Sequence, residues 1–372
     1  MYKKHETKAE ISQLVCFYNR HRKSIVIAVG EVKMTNNQWV RKSYQLTHWQ
    51  LQSGEVVPKA ELVYYQRGEL NSTKDNLVLL PTYYGGACHG VFPYADGLSP
   101  LATGDYCLLV PALFANGESW SPSHAETVQQ TLDFPLITIA DNISAQKQLV
   151  HDVFGDGKIC LICGWSMGGL QALQWAKEFP EQVQNVLAIC ATARCYPHNA
   201  VFLEGLKQCL YADEHFMLAD PLEPPIRGLT AFASVYAGWA YSQAFFRQQD
   251  YKKLGFATLE DLLDYWRADH LAQNAHDLLA LLKTWQTANI AGVDASEEAY
   301  CQALKTIQAK TIMMPSSMDL YFTVEDAAYD ASFIPQGECR VIDSSFGHCA
   351  GGPGRELHGM DSIFAAINDL LP

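Results

Sequence analysis

The sequence predicts an α/β fold in which a mostly parallel central sheet is flanked by helices and carries an inserted helical segment. Short apolar runs bounded by turn residues recur at Asn76–Pro81, Tyr106–Pro111, Lys158–Gly164, Asn185–Ala191, Lys310–Pro315 and Cys339–Asp343. Runs this apolar on both faces suit buried parallel strands. Helical stretches such as Ser144–Phe154 and Met167–Phe179 lie between them, and such alternation argues for helices packed on both faces of one sheet. From about Cys195 to Ala309 the signals turn almost entirely helical, which is more chain than a strand-to-strand crossover needs.

Taken along the chain, residues 1–42 are polar, basic and poorly patterned, and read as a weakly packed extension. Met34 offers an alternative start, and trimming to it is expected to leave the melting temperature nearly unchanged. Tyr44–Leu51 and Ala60–Gln66 read as two strands of a hairpin-like pair around Ser53-Gly54. The core is expected to comprise residues 43–194 and 310–372, with 195–309 as a helical lid. Within that insertion Thr258 and Asp261 form a capping-box pattern ahead of Leu262, Leu263 and Trp266, and His276–Trp285 is Leu-rich at helical spacing.

Composition narrows the function. The 372 residues carry 27 basic and 40 acidic side chains, a net charge of −13. So acidic a chain has no electrostatic footprint for a phosphate backbone or an anionic membrane surface. At 48% hydrophobic and 18% charged it can bury a large core. No run approaches the roughly 18–20 apolar residues of a membrane span. The basic start Met1–Lys4 is separated by charges from the short apolar run Ile25–Val29, unlike a secretory leader. The eleven cysteines are scattered and odd in number, as expected of free thiols in a reducing cytoplasm.

The strongest motif is Gly164-Trp165-Ser166-Met167-Gly168-Gly169, which follows one apolar run and opens a helix. This is the strand–turn–helix setting of a G-x-S-x-G nucleophile elbow. The turn is so tight that a Cβ at 164 or 168 would strike neighbouring backbone. It lifts the Ser166 hydroxyl above a helix N-terminus, where free N–H groups and a partial positive charge gather. The Met167 N–H then faces a developing oxyanion.

A serine hydroxyl needs a base, and in this architecture an acid and then a histidine follow the serine, after late strands. Asp319 and His348 occupy those places, with Asp326 and Asp343 as competing acids and His89 and His358 as lesser histidines. A second oxyanion donor is expected from Pro81-Thr82-Tyr83-Tyr84-Gly85-Gly86, with Tyr83 N–H ahead of Tyr84. Cys160 and Cys163 match a redox spacing in text, but residues three apart on a strand face opposite sides. No cluster has zinc-ligand spacing, and no cofactor is expected. The aromatics Tyr236, Trp239, Tyr241, Phe245 and Phe246 read as helix packing, some of them lining an acyl pocket.

These motifs resemble the homoserine O-acetyltransferase-like branch of the α/β-hydrolase superfamily. The likeness runs from about Tyr44 to the C-terminus, and is carried by 164–191, by Met318–Phe322 and by Gly347-His348. It implies an α/β-hydrolase fold with a lid. True acetyltransferases of the branch carry an aspartate directly after the motif histidine, where this chain has Cys349. They also carry a lid arginine for the homoserine carboxylate, matched here by about Ala233, and a Phe-Asp-Ala-Asn stretch, here Gln273-Asn274-Ala275-His276. An amino-acid acceptor left without charged partners in a pocket would cost several kcal/mol, roughly, so homoserine is not the expected acceptor. Segments 116–123, 197–205 and 347–353 are more similar to the esterase side group, which acts on esters of short acids. The resemblance implies Ser166, Asp319 and His348 as a triad, Met167 and Tyr83 as oxyanion donors, and a homodimer through lid helices. The expected activity is hydrolysis of short acyl esters; the alternative is acetyl transfer from acetyl-CoA to a small alcohol such as homoserine.

Overall fold

The structure, a computed structural model, describes residues 38–220 and 222–371. Most of the stretch read as an extension, residues 1–37, lies outside the described residues, as does the expectation about trimming it. Residues 40–42 are already strand, so the first strand starts four residues before the position expected at Tyr44. The reason is pairing: Val40, Arg41 and Lys42 sit opposite Gln66, Tyr65 and Tyr64, and the ladder holds them although all three side chains are exposed.

One eight-stranded sheet organises the described chain. Strands β1 (Val40–Gln50) and β2 (Val56–Arg67) form an antiparallel hairpin, and β2 runs antiparallel to β4 (Cys107–Pro111). From there the sheet is parallel, through β3 (Leu77–Leu79), β5 (Ile159–Trp165), β6 (Asn185–Ile189), β7 (Lys310–Met314) and β8 (Gly337–Cys339). The spatial order is β1-β2-β4-β3-β5-β6-β7-β8. Burial follows position: every residue of β3, β4 and β5 is buried, whereas β1 at the edge alternates toward solvent. The last strand lies two residues earlier than expected at Cys339–Asp343. Beyond Cys339 the chain stays beside β7 only through separate bonds, Arg340 N–H to Met313 O and Ile342 N–H to Pro315 O, both 2.8 Å.

Helices flank the sheet. Helix α1 (Val128–Leu132) precedes α2 (Ile139–Phe154), which begins five residues before the expected Ser144. Thr138 and Asp141 form a reciprocal cap there, satisfying two orphan N–H groups and stopping the helix from fraying back. Helix α3 (Met167–Glu178) follows β5 directly. Between β6 and β7 lie α4 (Pro197–Tyr211), α5 (Ile226–Ala240), α6 (Gln243–Arg247), α7 (Leu259–Leu271), α8 (Ala275–Gln286) and α9 (Glu297–Lys305). The described part of this stretch contains no named strand. The Thr258–Asp261 capping box forms as expected. Helices α10 (Val324–Phe333) and α11 (Leu357–Leu370) return to the sheet. No described helix is long and apolar enough to cross a membrane.

Candidate active site

The parallel strands point their carboxyl ends at one edge, where ligands of open α/β sheets gather. The loops after β3, β5, β7 and β8 meet there. Ser166, between β5 and α3, has φ 57° and ψ −126°, a conformation that costs a non-glycine residue on the order of 1–3 kcal/mol. Bonds on either side hold it: Ser166 N–H donates to Ile189 O at 2.9 Å, and Ser166 O accepts from Gly169 N–H at 2.8 Å. A Cβ on Gly164 would stand 2.2 Å from the Gly168 carbonyl, and one on Gly168 would stand 2.7 Å from Pro81 O. The two glycines are therefore steric requirements, the first for the turn and the second for the approach of the β3 loop.

That approach sets the loop that carries Tyr83 beside the start of α3. Met167 is the first residue of α3, so its N–H has no intrahelical acceptor. Tyr83 lies in the loop packed against Gly168 and lines the same cavity as Ser166. Buried Gln171 locks the two pieces, donating from Nε2 to Thr82 O at 2.8 Å and to Met167 O at 3.2 Å. Tyr84, the other residue considered for an N–H donor, lines the same cavity, and its hydroxyl donates to Leu278 O at 2.9 Å.

His348 sits in a short 3-10 turn, Gly347–Gly351, beyond β8. Its Nδ1 is 2.7 Å from Asp319 Oδ2, and both side chains are buried. Asp319 Oδ1 accepts from Tyr321 N–H at 3.1 Å and Phe322 N–H at 3.0 Å, which fixes the carboxylate. The imidazole is boxed by Trp165 and Tyr321, with ring centroids at 4.9 and 4.5 Å. Trp165 Nε1 also donates to the His348 carbonyl at 3.1 Å. The competing groups lie elsewhere: Asp343 accepts from Ser317 Oγ, the Asp326 N–H joins the Thr323 cap of α10, and His358 is exposed. His89 reaches the cavity wall.

Ser166 and His348 share a cavity of about 390 Å³. The 195–309 segment supplies part of its wall, including Tyr236, Tyr265, Trp266 and Asp269. Of the five aromatics singled out in the sequence, only Tyr236 lines it; Trp239 stacks on Phe202 at 4.8 Å, and Tyr241 stacks on Phe245 at 4.0 Å. The sequence offered no cation for this pocket, yet the fold brings Arg355 to its wall. Nothing in the residue order announces it, since it lies in an irregular segment seven residues beyond His348. Gln171 was equally silent, its side chain being one of several polar groups on an amphipathic helix.

The Cys190 thiol, Asp319 carboxylate and His348 imidazole have atoms within 4.8 Å of one another. Burial, with Asp319 adding, pushes the Cys190 thiol well above its ordinary value. A protonated thiol is a poor metal ligand, and the other two groups already hold each other. Cys160 and Cys163 are free and buried on β5, and burial pushes the Cys160 thiol up to about 12.

Comparison with known proteins agrees with this fold. The chain is 31% identical over 325 residues to ethyl acetate hydrolase of Pseudomonas veronii, covering 86% of this chain and 92% of that protein. A crystal structure of an acetylester hydrolase from Corynebacterium glutamicum superposes with a TM-score of 0.84 at 27% identity, covering 89% of this chain and 95% of that one. Homoserine O-acetyltransferase of Chlorobium chlorochromatii is 24% identical over 340 residues, covering 86% and 91%. Residues 75–351 match the family described as alpha/beta hydrolase fold. With its elbow, its sheet order and these relatives, the chain belongs to the α/β-hydrolase family.

Proposed function

We propose that the protein is a serine esterase that cleaves short-chain acyl esters through an acyl-enzyme on Ser166. The observation that carries this reading is the 2.7 Å contact of His348 Nδ1 with Asp319, on the wall of the cavity into which the strained turn delivers Ser166. Asp319 holds the proton on Nδ1, leaving Nε2 free to accept the Ser166 proton. The hydroxyl oxygen attacks the ester carbonyl, and the N–H groups of Met167 and Tyr83 receive the oxyanion. His348 returns the proton to the leaving alcohol. Water, deprotonated by the same imidazole, then releases the acid and restores Ser166.

Residues 195–309 act as the lid in this reading. The ten free cysteines among the described residues accord with a cytoplasmic location, and a homodimer through lid helices completes it.

Acetyl transfer to a small alcohol is the second reading, because it shares every step up to the acyl-enzyme and the acetyltransferases are relatives. Hydrolysis is favoured: the place of the lid arginine is Ala233, fully buried in α5, and Cys349 follows the histidine. Incubation with p-nitrophenyl acetate, and separately with acetyl-CoA plus homoserine, separates the two. Ester turnover without acetylhomoserine is expected; the opposite pattern overturns the proposal.

A further inference from the structure

The catalytic cavity carries a guanidinium that ester cleavage itself does not use. Arg355 is partly buried and lines the same wall as Ser166 and His348. Its Cζ stands 5.6 Å from the centroid of the Trp165 ring, which in turn lies 4.9 Å from the His348 ring. The charge therefore sits beside the reacting groups rather than out at a distant rim.

Arg355 lacks the company that the other described arginines withdrawn from solvent keep. Arg67, Arg194, Arg267 and Arg340 each hold an Asp or Glu oxygen at 3.0 Å or closer. Among the described residues, no carboxylate lies within ion-pair distance of Arg355. The groups around it include Cys349, Tyr83 and Tyr241. Burial pushes the Cys349 thiol up to about 11 and raises both phenols, so these groups are neutral at pH 7. Asp269 lines the cavity, Asp319 meets its wall at His348, and Glu356, the residue after Arg355, accepts from Ser344 Oγ at 2.7 Å. Asp319 is already engaged by His348 and two backbone amides. Asp269, half-exposed, accepts from Gln273 Nε2 at 3.0 Å and lies 3.4 Å from His270 Nδ1. A guanidinium withdrawn from water without a carboxylate is costly, and its planar fork of donors matches a carboxylate edge to edge.

We propose that Arg355 forms an anion subsite of the catalytic cavity, so that the preferred substrates are esters carrying a free carboxylate. This rests on the esterase reading and adds a substrate class to it: monoesters of short diacids, where the carboxylate is on the acyl side, or acyl esters of short hydroxy acids, where it is on the alcohol side. The guanidinium receives the carboxylate while the ester carbonyl lies over Ser166. Its seat on the Trp165 face keeps the fork from swinging away.

The test compares isosteric anion and amide pairs on the full chain. Monoethyl succinate is set against ethyl succinamate for the acyl side, and 3-acetoxypropanoate against 3-acetoxypropanamide for the alcohol side. The expected result is a kcat/KM about 10–100-fold higher for the anion in one pair, the range of a charge-assisted contact, and the pair that shows it identifies the side. Arg355→Gln is expected to bring that ratio near one, and Arg355→Lys to keep part of it. If the amides are cleaved as well as the anions in both pairs, the subsite is refuted while the esterase reading stands. If no ester is cleaved at all, the esterase reading fails, and binding decides the subsite. Calorimetric titration of the Ser166→Ala protein with the same four compounds then either shows tighter binding of an anion, lost with Arg355→Gln, or shows none and overturns the proposal. The Lys variant and the native ratio do not depend on the Gln variant folding. A guanidinium that only props Trp165 would lower turnover of anions and amides alike and leave their ratio unchanged.

Discussion

Gln171 Nε2 donates to the Thr82 carbonyl at 2.8 Å, which ties the loop bearing Tyr83 to the helix that Met167 opens, the two proposed sources of oxyanion donors. The same side chain accepts from Gln146 Nε2 at 2.8 Å, and Gln146 Oε1 accepts from Trp175 Nε1 at 2.8 Å. The Thr82 carbonyl, one residue before Tyr83, is thus held by a buried polar chain running through α2 and α3.

Gln171→Leu cuts that chain and leaves the Thr82 carbonyl and a Gln146 N–H without partners. Each orphan costs about 1–3 kcal/mol, and a displaced oxyanion donor costs up to about 10²-fold in turnover. The expected outcome is kcat lowered by about 10-fold or more with KM little changed. Steady-state kinetics on p-nitrophenyl acetate check it; an unchanged kcat, or a loss confined to KM, rules out the positioning role.

Ser166→Ala removes the proposed nucleophile and is expected to lower turnover by about 10⁶. Cys349, the adjacent thiol, offers no substitute, because burial holds it up at about 11 and a thiol rather than a thiolate is a weak nucleophile. Residual activity in the variant that disappears on alkylation would reverse this assignment.

Asp319→Asn is expected to cost about 10⁴ in kcat. The carboxamide can no longer hold the proton on Nδ1 of His348 while accepting from the Tyr321 and Phe322 amides. Asp343→Asn, whose carboxylate accepts from Ser317 Oγ, and Asp326→Asn, whose carboxylate faces Thr323, should stay within about two-fold of the native rate. A rate for Asp343→Asn as low as that of Asp319→Asn would transfer the acid's role.

Asp330 on α10 accepts from Ala193 N–H, Tyr196 Oη and Tyr300 Oη at 2.7, 2.8 and 2.6 Å, fastening α10 to the start and end of the helical stretch between β6 and β7. Burial, outweighing these donors, raises its carboxyl from 3.8 to about 6. The folded chain therefore binds this proton more tightly than the unfolded one. Its contribution is complete below pH 3.8 and is lost as pH rises through 6. The gap corresponds to about 3 kcal/mol for one group. Denaturant melts of the native chain and Asp330→Asn between pH 4 and 7 should show the native chain losing ground to the variant as pH rises. A constant difference would refute the shifted titration.

The turn that carries Ser166, the proposed nucleophile, was legible in the residues because an elbow is a local object: Gly164, Ser166 and Gly168 must lie close in sequence for the turn to close, and the run before them and the helix after them complete the pattern. Asp319 and His348 were legible at one remove, since each follows a strand that reads as buried. Strand ends were less clear. At Val40 and beyond Cys339 the pairing partner, not the side-chain pattern, decides where the ladder begins or fades.

The order of elements, the serine on its turn and the sequence of acid before histidine were determined by the chain alone, because hydrophobic period and turn sterics act over a few neighbouring residues. Only the tertiary structure decided that Gln171 would hold the Thr82 carbonyl and that Arg355 would reach the cavity. Both depend on loops and helices far apart in sequence being packed to within a few ångströms, and no local pattern encodes that distance.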